Sequence, residues 1–343
     1  MKSSLLVAVV FLAVGFVIGL FIPTVLLTPA QVKQVKFTTD WTWQGVYAPY
    51  LVPVEKGFYS SRGYAVIVDR GYGSADAASK IASGAYDFGI VDLAVLTEFN
   101  SKNPGNELLA LCVVYNYSPL SIMTLKKTGI ATPKDLQGKK IAAPEGAAAR
   151  RLFPLFARNV GINPQSVEWV SVSPALRETL LVRGEVDATA PFIDAILTLK
   201  QLGIRQEDIV VFHYPEYGLD IYGLALVTRK DVVEKDPVTV RVIVEGVIYG
   251  WQESIKNPDQ TINFLRMKDP TVNATIEKER LLLAIEKLVL TPEVRQNGPC
   301  YASPQRLAKH IDIVTEGMQL PRKISVSDLF TDSFLPPADA RRP

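Results

Sequence analysis

Cysteine and histidine are scarce in this chain. In 343 residues there are two cysteines, Cys112 and Cys300, and two histidines, His213 and His310. Two cysteines cannot build a disulfide scaffold or a cysteine-rich zinc site. Two histidines leave little for histidine-based metal chemistry. An excess of one charge is also missing: 37 Lys and Arg stand against 35 Asp and Glu, for a net charge of +2. A nucleic-acid protein would carry a concentrated basic face, so no nucleic-acid partner is expected. Familiar catalytic signatures are absent too. There is no Gly-x-Ser-x-Gly elbow, no P-loop and no His-Glu-x-x-His site. No cofactor, no metal and no enzymatic activity are therefore expected. Hydrophobic residues at 48% and charged residues at 21% are ordinary globular proportions. The length suits two domains.

One long apolar run is present. Leu5 to Leu27 is 23 residues without a charge, preceded by Lys2. By length it suits a spanning helix, while Thr28-Pro29-Ala30 offers a small-residue cleavage site. Residues 1–30 are thus read as a signal peptide or an N-terminal membrane anchor. In either case the remainder is exported, and Lys2 stays inside.

Beyond the leader, strand and helix patterns alternate. Val35 to Thr39, Tyr64 to Val68 and Phe88 to Val91 read as strands. Tyr47 to Lys56 has helical spacing, and Ser74 can cap a helix running to Ser83. This alternation indicates an α/β fold with a largely parallel sheet. The unit recurs. Ser83-Gly84-Ala85-Tyr86-Asp87-Phe88 is echoed by Arg183-Gly184-Glu185-Val186-Asp187-Ala188, an offset of 100 residues. Matched flanking strands and turns suggest two similar lobes, against the alternative of two ordinary turns that coincide. A second lobe would open near Lys126, with a strand at Lys140 to Ala143 and a long helix from Glu145 to Asn159. From Asp231 onward the pattern is helical and should pack back on the first lobe. The expected division is 31–120 with 226–343 for lobe 1, and 121–225 for lobe 2. The chain would then cross between lobes twice, near 117–125 and 217–228.

In open α/β sheets, ligands bind beyond the carboxyl ends of strands, where loops and helix N-termini converge. The loop after the first strand holds Trp41, Trp43 and Tyr47, which could stack on a flat ligand. Trp41 could equally plug the sheet as core. Ser74 and Glu145-Gly146-Ala147 mark helix starts with free backbone N–H groups. Glu145 would weaken the pull of its helix on an anion. Asp92 could accept a bond from a ligand amine or cap the helix that follows it. Phe192 is a candidate apolar wall, and Tyr222 lies near the second crossing. Cys112 sits in an apolar run and reads as inert core. Cys112 and Cys300 could bridge in an oxidising compartment, but nothing in the sequence brings them together.

Several segments resemble a known family. Asp40-Trp41-Thr42, Tyr47-Ala48-Pro49, Glu55-Lys56-Gly57-Phe58-Tyr59 and Gly63 look like the opening of ABC-transporter substrate-binding proteins. The branch is the NMT1-like one, with carriers of thiamine-pyrimidine precursors and alkanesulfonates. Agreement continues through Asp135-Leu136-Gln137-Gly138-Lys139-Lys140-Ile141, Gly184 to Ala188, Gly250-Trp251, Asn257-Pro258 and Phe330 to Pro337. The resemblance implies a periplasmic binding protein of type II, with two αβ lobes and a two-crossing hinge. It implies a monomer that closes on a small-molecule ligand and delivers it to a membrane permease. In the pyrimidine-precursor carriers, aromatic residues sandwich a flat heterocycle, a role that Trp43 and Tyr47 would fill here. An alkanesulfonate or another organic anion is the alternative ligand. The family's enzyme cousin, which makes the thiamine pyrimidine, has a histidine where this chain has Tyr47. It also has a cysteine cluster in the strand matching Leu219–Leu226, where this chain has none.

Overall fold

A computed structural model describes residues Val32–Arg342. The apolar run at 5–27, read as signal or anchor, lies outside the described residues.

Among the described residues, ten strands form two five-stranded sheets. The first contains β1 (Lys33–Thr38), β2 (Tyr64–Asp69), β3 (Phe88–Asp92), β4 (Leu108–Val113) and β10 (Leu224–Arg229), in the order β2-β1-β3-β10-β4. The second contains β5 (Ser121–Leu125), β6 (Lys140–Ala142), β7 (Glu168–Val170), β8 (Ala188–Thr189) and β9 (Ile209–His213), in the order β7-β6-β8-β5-β9. In each sheet the first three strands are parallel and the fourth runs antiparallel to both its neighbours. The protein is a mixed α/β fold of two sheets, each with its own helices.

The 100-residue echo is structural. Asp87 accepts the Lys36 amide at 2.8 Å, and Asp187 accepts the Lys140 amide at 2.8 Å. In return each Asp amide donates to the same lysine's carbonyl, at 2.9 Å in both sheets. Thr228 of β10 donates its hydroxyl to the Asp87 carbonyl, as Thr124 of β5 does to the Asp187 carbonyl. Gly84 and Gly184 both sit at positive φ, +77° and +76°, where a side chain would be strained. Coincidence of two turns does not reproduce strand order, side-chain bonds and backbone sign together.

Most of the helical expectations hold. Helices Pro237–Lys256, Pro258–Lys268, Ala274–Ala284 and Pro304–Gly317 follow β10. Two differ in detail. The segment expected as one helix from Glu145 to Asn159 begins at Ala148 and divides into Ala148–Arg151 and Phe153–Asn159. Pro154 has no N–H to continue the first helix, and it suits the first turn of a new one. The residue preceding the helix Ser74–Ala82 is Gly73 rather than Ser74, because the Ser74 hydroxyl is engaged elsewhere.

Cys112 and Cys300 form a disulfide across 188 residues, with Cα atoms 4.3 Å apart. Cys112 is therefore not a free core thiol. Strand β4 is the outer strand of its sheet, and short bridges from Cys300 to Val113 and from Phe330 to Ala110 cover its edge. That covering segment carries Cys300 to Cys112, a long-range placement that no local pattern encodes.

Candidate functional site

The loops beyond β1 and β2 in the first sheet face those beyond β6, β7 and β8 in the second. Between them lies a narrow, nearly closed cleft. Asp40, Trp41, Gln44, Gly73 and Ser74 line one wall, and Ala147–Ala149, Arg177, Ala190 and Phe192 the other. Asp194 and Arg280 also line it and are bonded to each other.

The first wall is tightly bonded. The Asp40 carbonyl accepts the Gly73 amide at 2.7 Å, and the Trp41 carbonyl accepts the Gly71 amide at 3.0 Å. The Asp40 carboxylate accepts hydroxyl bonds from Tyr47 at 2.9 Å and Ser74 at 2.7 Å. Burial pushes Asp40 up to about 6; the Ser74 and Tyr47 hydrogen bonds resist that rise and nearby Asp194 adds to it. The Ser74 oxygen in turn accepts the Asp92 amide at 3.1 Å.

The opposite wall supplies the positive charge. Arg177 is 5% exposed, with its guanidinium 4.7 Å from the centre of the Trp41 ring. Its Nε donates to Glu178 at 2.6 Å, and Nη1 reaches the Ala190 carbonyl only at 3.5 Å. Its Nη2 makes no hydrogen bond among the described residues. A guanidinium over an indole face can still offer an unspent donor, here Nη2, to a ligand. The amides opening the helix Ala148–Arg151 lie on the same wall, with no acceptor inside their own helix.

Of the residues singled out from sequence, Trp41, Ser74, Ala147 and Phe192 line the cleft. The others do not. Trp43 is half-buried with its ring 5.5 Å from Lys268 Nζ. Tyr47 is 1% exposed in a 3-10 turn, Gly45–Tyr50, and supports the site only through Asp40. The expected Trp43–Tyr47 sandwich therefore does not form. Asp92 caps the helix Leu93–Lys102, accepting the Ala94 and Val95 amides. Glu145 is exposed and accepts the Ser171 hydroxyl. Gly146 sits at the seam, where its carbonyl accepts the Ala75 amide at 3.2 Å. Tyr222 is buried, donates to Glu293 and lies under the Arg306 guanidinium.

Asp40, Arg177, Asp194 and Arg280 were not among the expected site residues. Arg177 has a signal in retrospect. It begins the helix after Ser173-Pro174, the counterpart, 100 residues on, of Gly73-Ser74. Arg280 has none, since its helix follows from a different part of the chain.

The family profile described as "NMT1/THI5 like" matches residues 44–261. A putative thiamine biosynthesis protein of Haemophilus influenzae is 30% identical over 228 residues, 64% of this chain and 68% of that one. The chain belongs to the NMT1/THI5-like family. Another relative, the taurine-binding periplasmic protein of Escherichia coli, is 28% identical over 180 residues. That match covers 52% of this chain and about half, 54%, of the relative. Among solved structures, the alkanesulfonate-binding protein of Xanthomonas axonopodis bound to MOPS superposes with a TM-score of 0.68 at 16% identity. It covers 88% of this chain and 99% of that one, and shares the fold of periplasmic binding proteins.

Proposed function

We propose that this chain is the extracytoplasmic solute-binding component of an ABC importer. Lobe 1 comprises 31–120 and 226–343, lobe 2 comprises 121–225, and a membrane permease receives the ligand. The Cys112–Cys300 disulfide supports an oxidising compartment. Among the described residues no helix is long and apolar enough to cross a membrane.

The ligand we propose is a small organic anion that also carries a cationic or hydrogen-bond-donating end. The carrying observation is Arg177, its guanidinium over the Trp41 ring with Nη2 unspent on the cleft wall. Asp40 and Asp194 lie along the same cleft and would repel a ligand that is only anionic. Taurine, named for the E. coli relative, has both a sulfonate and an ammonium group. A second reading, a flat heterocycle of the pyrimidine-precursor type, is favoured by the aromatic faces of Trp41 and Phe192 in the cleft.

The test is thermal stability of the full chain in mild detergent against taurine, ethanesulfonate, simple amines and aminopyrimidines. Binding raises the melting temperature by mass action. Taurine is expected to stabilise the native protein, and Arg177→Ala to abolish the shift. Stabilisation by aminopyrimidines alone, unchanged in Arg177→Ala, would sink the anion reading.

A further inference from the structure

Arg280 lines the cleft, yet four of its five N–H groups are spent on the protein. Nε donates to Glu277 at 2.9 Å, and Nη2 to the Thr198 hydroxyl at 2.9 Å. Nη1 donates to both the carbonyl and the carboxylate of Asp194, at 2.8 and 2.9 Å. The Arg280 side chain is 1% exposed. Burial opposes its charge, but Asp194 and Glu277 more than offset that and hold it protonated. Arg280 is thus unlike Arg177: its fork is closed by neighbours.

Those neighbours come from two sides of the cleft. Glu277 and Arg280 ride on the helix Ala274–Ala284, and Glu277 also accepts the Gly45 amide beside the first wall at 2.5 Å. Asp194 and Thr198 follow β8 of the second sheet. The helix continues into a π-helical turn, Ile285–Val289, whose Leu288 carbonyl accepts the Asn116 amide at 2.8 Å. Asn116 lies between β4 and β5, where the chain first crosses from one sheet to the other. One helix therefore touches the first wall, the second sheet and the crossing.

We infer that Arg280 is a positioning residue that latches the two lobes across the cleft, fixing the placement of Trp41 against Arg177. This rests on the proposed two-lobe binding reading. A forked guanidinium with carboxylate, carbonyl and hydroxyl partners accepts only one relative placement of the two walls. When the lobes part, Asp194 and Thr198 leave with the second sheet while Glu277 stays with Arg280. The latch is thus made on closure and broken on opening. Its net strength is the difference between the lost hydration of two charges and their bonds, which leaves opening accessible.

The Ala75 amide reports this latch without any ligand, because it bonds across the seam to the Gly146 carbonyl. Hydrogen exchange of the full chain, resolved at Ala75, is compared for the native protein, Arg280→Lys and Thr198→Val. Lysine keeps the charge beside Glu277 and Asp194 but loses the fork. Valine removes one latch bond outside the cleft wall. Ala75 is expected to exchange about tenfold faster in Arg280→Lys and roughly twofold faster in Thr198→Val, with β3 amides unchanged. Unchanged Ala75 exchange in both variants would overturn the latch. So would acceleration of Ala75 and β3 together, which marks plain loss of fold stability. If Arg280→Lys does not fold, Thr198→Val decides by the same criteria. A failed ligand panel with accelerated Ala75 exchange would overturn the anion reading and leave the latch standing.

Discussion

At the scale of the residue, two buried carboxylates contribute to the pH behaviour, opposed below about pH 6.5 by His310, which burial pushes down to about 3. Burial pushes Asp92 up to about 7; its bonds from Val95 and Ala94 resist and Asp40 adds to the rise. One Asp92 oxygen takes both amides, while the other, Oδ2, is buried without a partner among the described residues. Asp40 is raised to about 6. Both folded values lie above the unfolded value of 3.8. From pH 4 to about 7 the folded protein therefore keeps protons that the unfolded chain releases, so stability contributed by these groups falls as pH rises. Asp92→Asn keeps the cap and removes the buried charge. It should raise the melting temperature at pH 7.5 and flatten its slope between pH 5 and 7.5; a lowered melting temperature would show that the charge is needed. At Arg177, truncation to alanine should weaken taurine binding by about 2–3 kcal/mol, the worth of a charge-assisted pair. Titration calorimetry reads that loss directly. Asp40 belongs to the Asp40-Trp41-Thr42 segment, yet its place on the cleft wall is not legible in the sequence. Its partners Tyr47 and Ser74 arrive from a turn and from another helix, and a one-dimensional pattern does not show which hydroxyls converge on a carboxylate.

Element by element, the walls meet at the starts of two helices. Gly73 has φ +135°, and a Cβ there would lie 2.5 Å from the Gly146 carbonyl carbon and oxygen. A Cβ on Gly146 would meet nothing closer than 3.5 Å. Gly73→Ala should therefore prop the walls apart and weaken taurine affinity about tenfold or more, with a cost of about 1–3 kcal/mol from the backbone. Gly146→Ala should bind nearly as the native protein. Equal losses in the two variants would show that the seam does not close on Gly73. The strands were legible because short apolar runs between turn residues have few other uses. The helices after Asp231 were legible because their apolar spacing is regular over many turns. The break at Leu152 was less visible, since Pro154 is compatible with either the interruption or the start of a helix.

Over the whole molecule, the disulfide joins β4 to a segment 188 residues later. Opening it frees a very long loop in the unfolded chain. A Cys112→Ser, Cys300→Ser variant should lose about 2–5 kcal/mol of stability. Denaturant unfolding with and without reductant measures this, and the variant itself should not respond to reductant. The disulfide ties the chain after the latch helix to the first sheet, on the side from which β5 departs. The two sheets repeat one strand order, but their fourth strands are β10 and β5, so each sheet's fourth strand lies next to a crossing. The pseudo-repeat thereby yields a double connection between lobes and a cleft with related loops on both walls.

Local patterns were sufficient for the α/β class, the repeat of Gly84 and Asp87 in Gly184 and Asp187, and the helical tail. These rest on interactions within one turn or between chain-adjacent elements, and residue type alone constrains them. The resemblance supplied the family, because an ordered set of motifs survives divergence better than any single contact. Assembly alone placed Arg177 over Trp41, turned Tyr47 into a support for Asp40, moved Trp43 out of the cleft and joined Cys112 to Cys300. Each of those depends on elements distant in sequence meeting at one point. Such meetings follow from how the sheets and their helices pack, and packing is a property of the whole chain.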